Sequence, residues 1–146
     1  LYNLYRFAHY YEEAYGKYIW LKSGASLVIE HTEAMTVIDV NTGSVLKKKK
    51  QEDTLFYQIN REAAKEIARQ LRLRNISGII MIDFINMKDT AQKEKLLSLL
   101  DSECKKDRVH CNVIDMTALN LVEMTRSKVR KPLHEQIRSC MKNNRS

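Results

Sequence analysis

At 146 residues, 44% hydrophobic and 29% charged, the chain has the size and composition of one folded domain and is too short for two comfortable cores. No apolar run approaches the ~20 residues that a membrane span needs, and three cysteines without a CxxC pairing argue against a disulfide framework and a self-contained zinc site. The charge of +7 is concentrated, because residues 126–146 hold seven Lys or Arg against the single acid Glu135, leaving +1 for residues 1–125.

That distribution suits a polyanion such as nucleic acid, although a solvated tail has the same composition. The chain begins on Leu1 without a methionine and is patterned from its first residue, as an excised piece of a longer protein would be. Residues 1–6 lack the charged-then-apolar order of a signal peptide, and the expected location is cytoplasmic.

Leu4, Phe7, Ala8, Tyr11, Ala14 and Tyr15 recur at three and four residues, which predicts an N-terminal helix that Gly16 ends. Strands follow at residues 18–21, 26–30 and 35–41. The turn at Ser23-Gly24 separates the first two, and the short 31–34 link makes the second and third antiparallel neighbours. Along the third, a period of two puts Val37, Asp39 and Asn41 on one face and Ile38 and Val40 on the other.

Thr42-Gly43-Ser44 breaks that strand, and the lysine run 47–50 belongs in an exposed loop. Asp53 or Thr54 can cap the next helix, whose core line is Leu55, Ile59, Ala63, Ile67 and Leu71. Arg61, Lys65, Arg69 and Arg72 form a second line around it, which could track a phosphate backbone or be an ordinary charged face beside Glu62 and Glu66. The nearly continuous apolar run 79–85 reads as a strand covered on both faces in a parallel sheet.

Asp89-Thr90-Ala91-Gln92 reads as a capping box before a helix with the stripe Leu96, Leu97, Leu100 and Cys104. Cys104 and Cys111 are expected as small buried apolar residues. Val109, Cys111 and Val113 alternate as one strand, and Leu119, Leu121 and Val122 mark another. The predicted class is therefore α/β, a mixed sheet with a βαβαβ parallel unit over residues 35–114 and flanking helices.

In such a unit Asp39, with Asn41, and Asp83 fall at the carboxyl ends of consecutive strands, where ligands collect. If those strands are neighbours, a spacing of about 4.8 Å lets both carboxylates bridge one cation, and an oxygen-rich set without Cys or His suits Mg²⁺ or Mn²⁺. The other reading is that each aspartate caps a turn after its strand. Phosphoryl acceptance, as in receiver domains, is a third class, but the early acidic pair and late lysine of a receiver cannot be laid onto this chain. His9, His31, His110 and His134 are scattered, and the four glycines form no phosphate loop.

Taken together, several stretches resemble the bacterial ribonuclease E/G endoribonucleases. They are Ser23-Gly24, Leu27-Val28-Ile29-Glu30 and the run from Thr32-Glu33-Ala34-Met35 through Ile38-Asp39-Val40-Asn41-Thr42-Gly43, then residues 62–75, Ile82-Asp83-Phe84-Ile85-Asn86-Met87 and Leu121-Val122-Glu123-Met124-Thr125-Arg126. The resemblance is collinear over residues 18–130. It implies a deoxyribonuclease-I-like catalytic subdomain in which Asp39 and Asp83 hold a catalytic Mg²⁺, Asn41 supports the site, and single-stranded A/U-rich RNA is cut to 5′-phosphate and 3′-hydroxyl ends.

Residues 1–17 would then end a preceding region, residues 18–130 form the catalytic subdomain and residues 131–146 a basic tail. Arg69, Arg72, Arg108, Arg126, Lys128 and Arg130 are the expected RNA contacts, and a noncatalytic RNA-binding fragment is the alternative. Two departures stand out near the site: Ala25 replaces a second glycine and Asn86 an aspartate. Cys140-Met141-Lys142-Asn143 lacks the CPxC form of the family's zinc link, so a homo-oligomer would need another interface.

Overall fold

The computed structural model describes residues 16–43 and 52–128. The expected N-terminal helix, the lysine run 47–50 and the tail from residue 129 lie outside the described residues. Within them the chain forms β1 (Tyr18–Trp20), β2 (Ser26–His31), β3 (Met35–Asn41), α1 (Glu52–Leu73), β4 (Gly78–Asp83), α2 (Thr90–Lys105), β5 (Cys111–Met116) and β6 (Leu121–Arg126). The strands make one sheet in the order β1-β2-β3-β4-β6-β5.

The α/β class and mixed sheet are as expected. The β2–β3 pair is an antiparallel hairpin and β3–β4 is parallel. The third strand of the expected parallel unit is placed differently: β5 runs in the direction of β4, but β6 lies between them, antiparallel to both. Burial explains the order. Val122 and Met124 of β6 are fully buried, whereas Asn112, Ile114 and Asp115 of β5 are exposed, so the more apolar strand takes the interior place and the half-polar, bulged one the edge.

One sheet face is the core. Leu27, Ile29, Ile38, Val40, Ile80, Ile82, Val122 and Met124 pack there with Ile59, Ala63, Ile67 and Leu71 of α1 and with Leu96, Leu100 and Cys104 of α2. Burial pushes the Cys104 thiol up to about 12, as befits a small core residue. The opposite face is open among the described residues, which corrects the expectation that β4 is covered on both sides. Ile79 remains 48% exposed. Its apolar character serves a groove of about 920 Å³ on that face, lined by Val37, Met81 and Leu121 among others.

Local chemistry sets the element ends. Helix α1 begins at Glu52, so Asp53 and Thr54 occupy its first turn and are not the cap. It ends in a Schellman motif, with Asn75 at φ 51, the Asn75 amide donating to the Arg72 carbonyl and the Ile76 amide to that of Leu71. Asp89 does cap α2, accepting from the Ala91 amide, but Gln92 does not complete the box, since its buried Oε1 has no partner among the described residues. After β3, Gly43 sits at φ +58, where a Cβ would lie 2.7 Å from the Gly24 carbonyl oxygen, so only glycine lets this loop close on the β1–β2 turn.

Arg126 corrects a sequence expectation. Its side chain is on the core face, buried, and donates to Asp107 Oδ2 at 2.9 Å, to Asn75 Oδ1 at 3.0 Å and to the Ile76 carbonyl at 3.0 Å. It ties β6 to the α2–β5 and α1–β4 connections and is not available to RNA. Burial alone would raise the Asp107 carboxyl. The Arg126 hydrogen bond, the Val109 amide and the Arg126 charge outweigh that effect and hold it below the ordinary carboxylate range.

Removing one partner of a buried pair strands the other charge. Asp107→Asn is expected to destabilise the chain by about 3 kcal/mol in urea unfolding at pH 7. Because the folded carboxyl lies below its unfolded value, the pair's contribution is complete above the unfolded pKa and declines as pH falls through about 4 toward the folded value. The difference between wild type and variant should shrink over that range, and a gap independent of pH would contradict the assignment.

Candidate active site

The open sheet face presents the carboxylates. Parallel pairing sets Asp39 of β3 opposite Asp83 of β4 in the same row, and their positions in the pleat point both side chains away from the helices. Neighbouring strands are about 4.8 Å apart, so these two acids are immediate neighbours. Asn41 follows two residues later on the same face, exposed and paired in register with Ser26. The structure thus brings together all three residues expected of the site.

The electrostatics reflect that proximity. Partial burial, then the charge of Asp83 and to a smaller degree that of Glu30, push the Asp39 carboxyl above its ordinary value, against the Val40 amide that donates to it. Among the described residues no group of three or more His, Cys, Asp or Glu side chains converges to hold a metal ion. What the register gathers is two carboxylates with a nearby amide.

A residue missed in the sequence fixes the end of β4. Asn60 of α1 is fully buried; its Nδ2 donates to the Ile85 carbonyl at 2.9 Å and its Oδ1 accepts from the Ile85 amide at 3.0 Å. These bonds anchor the chain two residues after Asp83. The available signal was a polar residue directly beside Ile59 in the core line of a helix, where an unpaired amide would be costly. Asn86 next accepts from Asn120 Nδ2 at 3.2 Å, joining this segment to the β5–β6 turn.

The expected RNA contacts separate into two groups. Arg69 and Arg72 lie on the outer flank of α1, where Arg69 pairs with Glu66 at 2.8 Å. Arg108 and Lys128 are exposed at the other edge, before β5 and after β6, and Arg130 is outside the described residues. Since Leu121 lies opposite Asp83 and Arg126 opposite Gly78, β6 carries the chain about 17 Å away from the carboxylates before the tail begins.

Residues 1–129 match the model of the Ribonuclease E/G family. The chain belongs to that family. It is 42% identical over 133 residues to ribonuclease G of Escherichia coli (strain K12), covering 91% of this chain and 27% of that protein. Ribonuclease G of Haemophilus influenzae is 44% identical over the same length and shares. Ribonuclease E of Synechocystis sp. (strain PCC 6803) is 44% identical over 115 residues, which are 79% of this chain and 17% of that protein. The chain thus spans about a quarter or less of the length of these ribonuclease E/G relatives.

Two adjacent acids without a cation destabilise the sheet. With its carboxyl raised by folding, Asp39 adds stability as pH falls through the raised value and subtracts from it above. In chelator at pH 7, Asp39→Asn is expected to be more stable than wild type by up to about 1 kcal/mol. The gap should close as pH approaches about 4, near the unfolded carboxyl value. A variant of lower Tm than wild type at pH 7 would contradict the repulsion.

Proposed function

We propose that this chain is the catalytic subdomain of a Mg²⁺-dependent endoribonuclease that hydrolyses single-stranded, A/U-rich RNA to 5′-phosphate and 3′-hydroxyl ends, in cytoplasmic RNA processing and decay. The observation that carries the reading is the register of β3 and β4, which places Asp39 beside Asp83 on an open face in a chain of this family. The donor set fits a hard divalent cation. Two carboxylate oxygen ligands without Cys or His favour Mg²⁺ or Mn²⁺ over zinc.

Asp39 and Asp83 would hold the ion, which when bound neutralises phosphate charge and acidifies a water. The chain's own residues supply the rest. Asn41 offers a neutral amide on the same face, able to orient a phosphate oxygen or a water without adding negative charge. The Asn60 bonds to Ile85 and the Gly43 loop fix the ends of β4 and β3, so the carboxylates keep their spacing when RNA arrives. Among the described residues no helix is long and apolar enough to cross a membrane.

Two measurements separate this reading from a noncatalytic RNA-binding fragment. Millimolar Mg²⁺ should raise the Tm of the wild-type chain and leave Asp39→Asn and Asp83→Asn unmoved; an ion at a hundredfold excess over its Kd contributes about 2.7 kcal/mol. In a full-length protein carrying this segment, each substitution should lower cleavage of single-stranded A/U-rich RNA at least about 100-fold. Unchanged cleavage in both would refute the site, and 2′,3′-cyclic phosphate ends would exclude attack by water.

A further inference from the structure

One edge of the sheet carries two large aromatic side chains in solvent. Tyr18 is 60% exposed and Trp20 is 72% exposed, both on the three-residue edge strand β1. Register puts Tyr18 opposite Val28 and Val28 opposite Asp39, and Trp20 opposite Ser26 and Ser26 opposite Asn41. The two aromatics therefore occupy the same rows and the same open face as the site residues, two strand spacings or about 10 Å away. Exposed aromatics on a sheet edge invite aggregation unless something uses them.

Round the β1 edge, on the helix side of the sheet, lies a groove of about 740 Å³ between β1 and the flank of α1, lined by Tyr18 and Trp20 together with Lys22, Lys65, Arg69 and Arg72. The two acids of the groove are engaged within the fold. Glu62 Oε1 accepts from the Ser23 amide at 3.3 Å, and Glu66 Oε1 accepts from Arg69 and from Gln70 Nε2. Lys22, Lys65 and Arg72 have no carboxylate partner among the described residues. Aromatic rings in solvent next to unneutralised cations form the composition that binds single strands: rings stack on bases of any sequence, and cations take the phosphates.

We infer that β1 and the α1 flank form a stacking cleft for single-stranded RNA, with Tyr18 and Trp20 as base platforms and Lys22, Lys65 and Arg72 as phosphate contacts. A strand held there wraps the β1 edge, its phosphates on the α1 side and its bases on the rings that share the face of the aspartate pair. This rests on the proposed ribonuclease reading for its substrate class, while its geometry is separate from the metal ligands. An unpaired strand is required, because bases stacked in a duplex do not offer a face to a protein ring.

Trp20 is the chain's single tryptophan, which makes it a built-in probe. The chain is titrated in EDTA with a short, end-labelled single-stranded oligouridylate, following label anisotropy and tryptophan emission together. Emission should change in step with anisotropy. Trp20→Phe should keep the affinity within about twofold, whereas Trp20→Ala and Tyr18→Ala should each weaken it about tenfold, with circular-dichroism melts unchanged. Lys65→Glu should weaken binding and flatten its salt dependence by about one unit of log–log slope.

Anisotropy saturating while Trp20 emission stays constant would overturn the inference, as would a duplex binding as tightly as the single strand, or no binding at all. Should Trp20→Ala fail to fold, Tyr18→Ala and the emission change decide between the outcomes. Because EDTA removes divalent cations, failure here leaves the catalytic reading intact. Conversely, Asp39→Asn cleaving normally while Trp20 still reports RNA would sink the catalytic reading alone.

Discussion

Parallel pairing of β3 with β4 is the constraint on which the rest of the structure depends. It places Asp39 against Asp83 on the sheet face that, among the described residues, the helices leave open. A slip of one residue would turn one carboxylate into the apolar core and its buried neighbour out to solvent. The register is held from both faces' needs: Ile38, Val40, Ile80 and Ile82 must meet α1 and α2, and that requirement leaves the aspartates no other direction. Packing energy on one side thus maintains electrostatic strain on the other.

The same division of labour recurs around the site. Asn60 uses a fully buried side chain to satisfy both backbone groups of Ile85, a core interaction whose effect is to fix the strand end that carries Asp83. Gly43 closes the loop after β3 against the Gly24 carbonyl. Arg126, buried with Asp107 and Asn75, ties β6 to two connections at the opposite end of the sheet. Positional order at the carboxylates therefore derives from interactions that never touch them.

Much of this was legible in the sequence because it is periodic and local. The alternation through residues 35–41 assigned Asp39 and Asn41 to one face, and the stripes of both helices match the buried residues. The order of β5 and β6 was not legible, since strand order in a sheet is set by long-range competition for burial and not by local pattern. Reading β4 as doubly covered failed for a related reason: an apolar run looks the same whether its second face meets a layer or an open groove. Arg126 looks like a surface cation in the sequence because a charge in a basic segment suggests solvent, and its partners Asp107 and Asn75 are distant in sequence. Family membership came from motifs spread over the chain, each too short to decide alone.

Under the proposed function, Asp39 and Asp83 act together as the ligands of one divalent cation. Mn²⁺ titration followed by electron paramagnetic resonance measures bound and free ion directly in the wild-type chain, Asp39→Asn, Asp83→Asn and the double variant. One site is expected in wild type that either substitution abolishes, with the double variant no weaker than the singles. Undiminished stoichiometric binding in the double variant, or no binding in wild type, would contradict it.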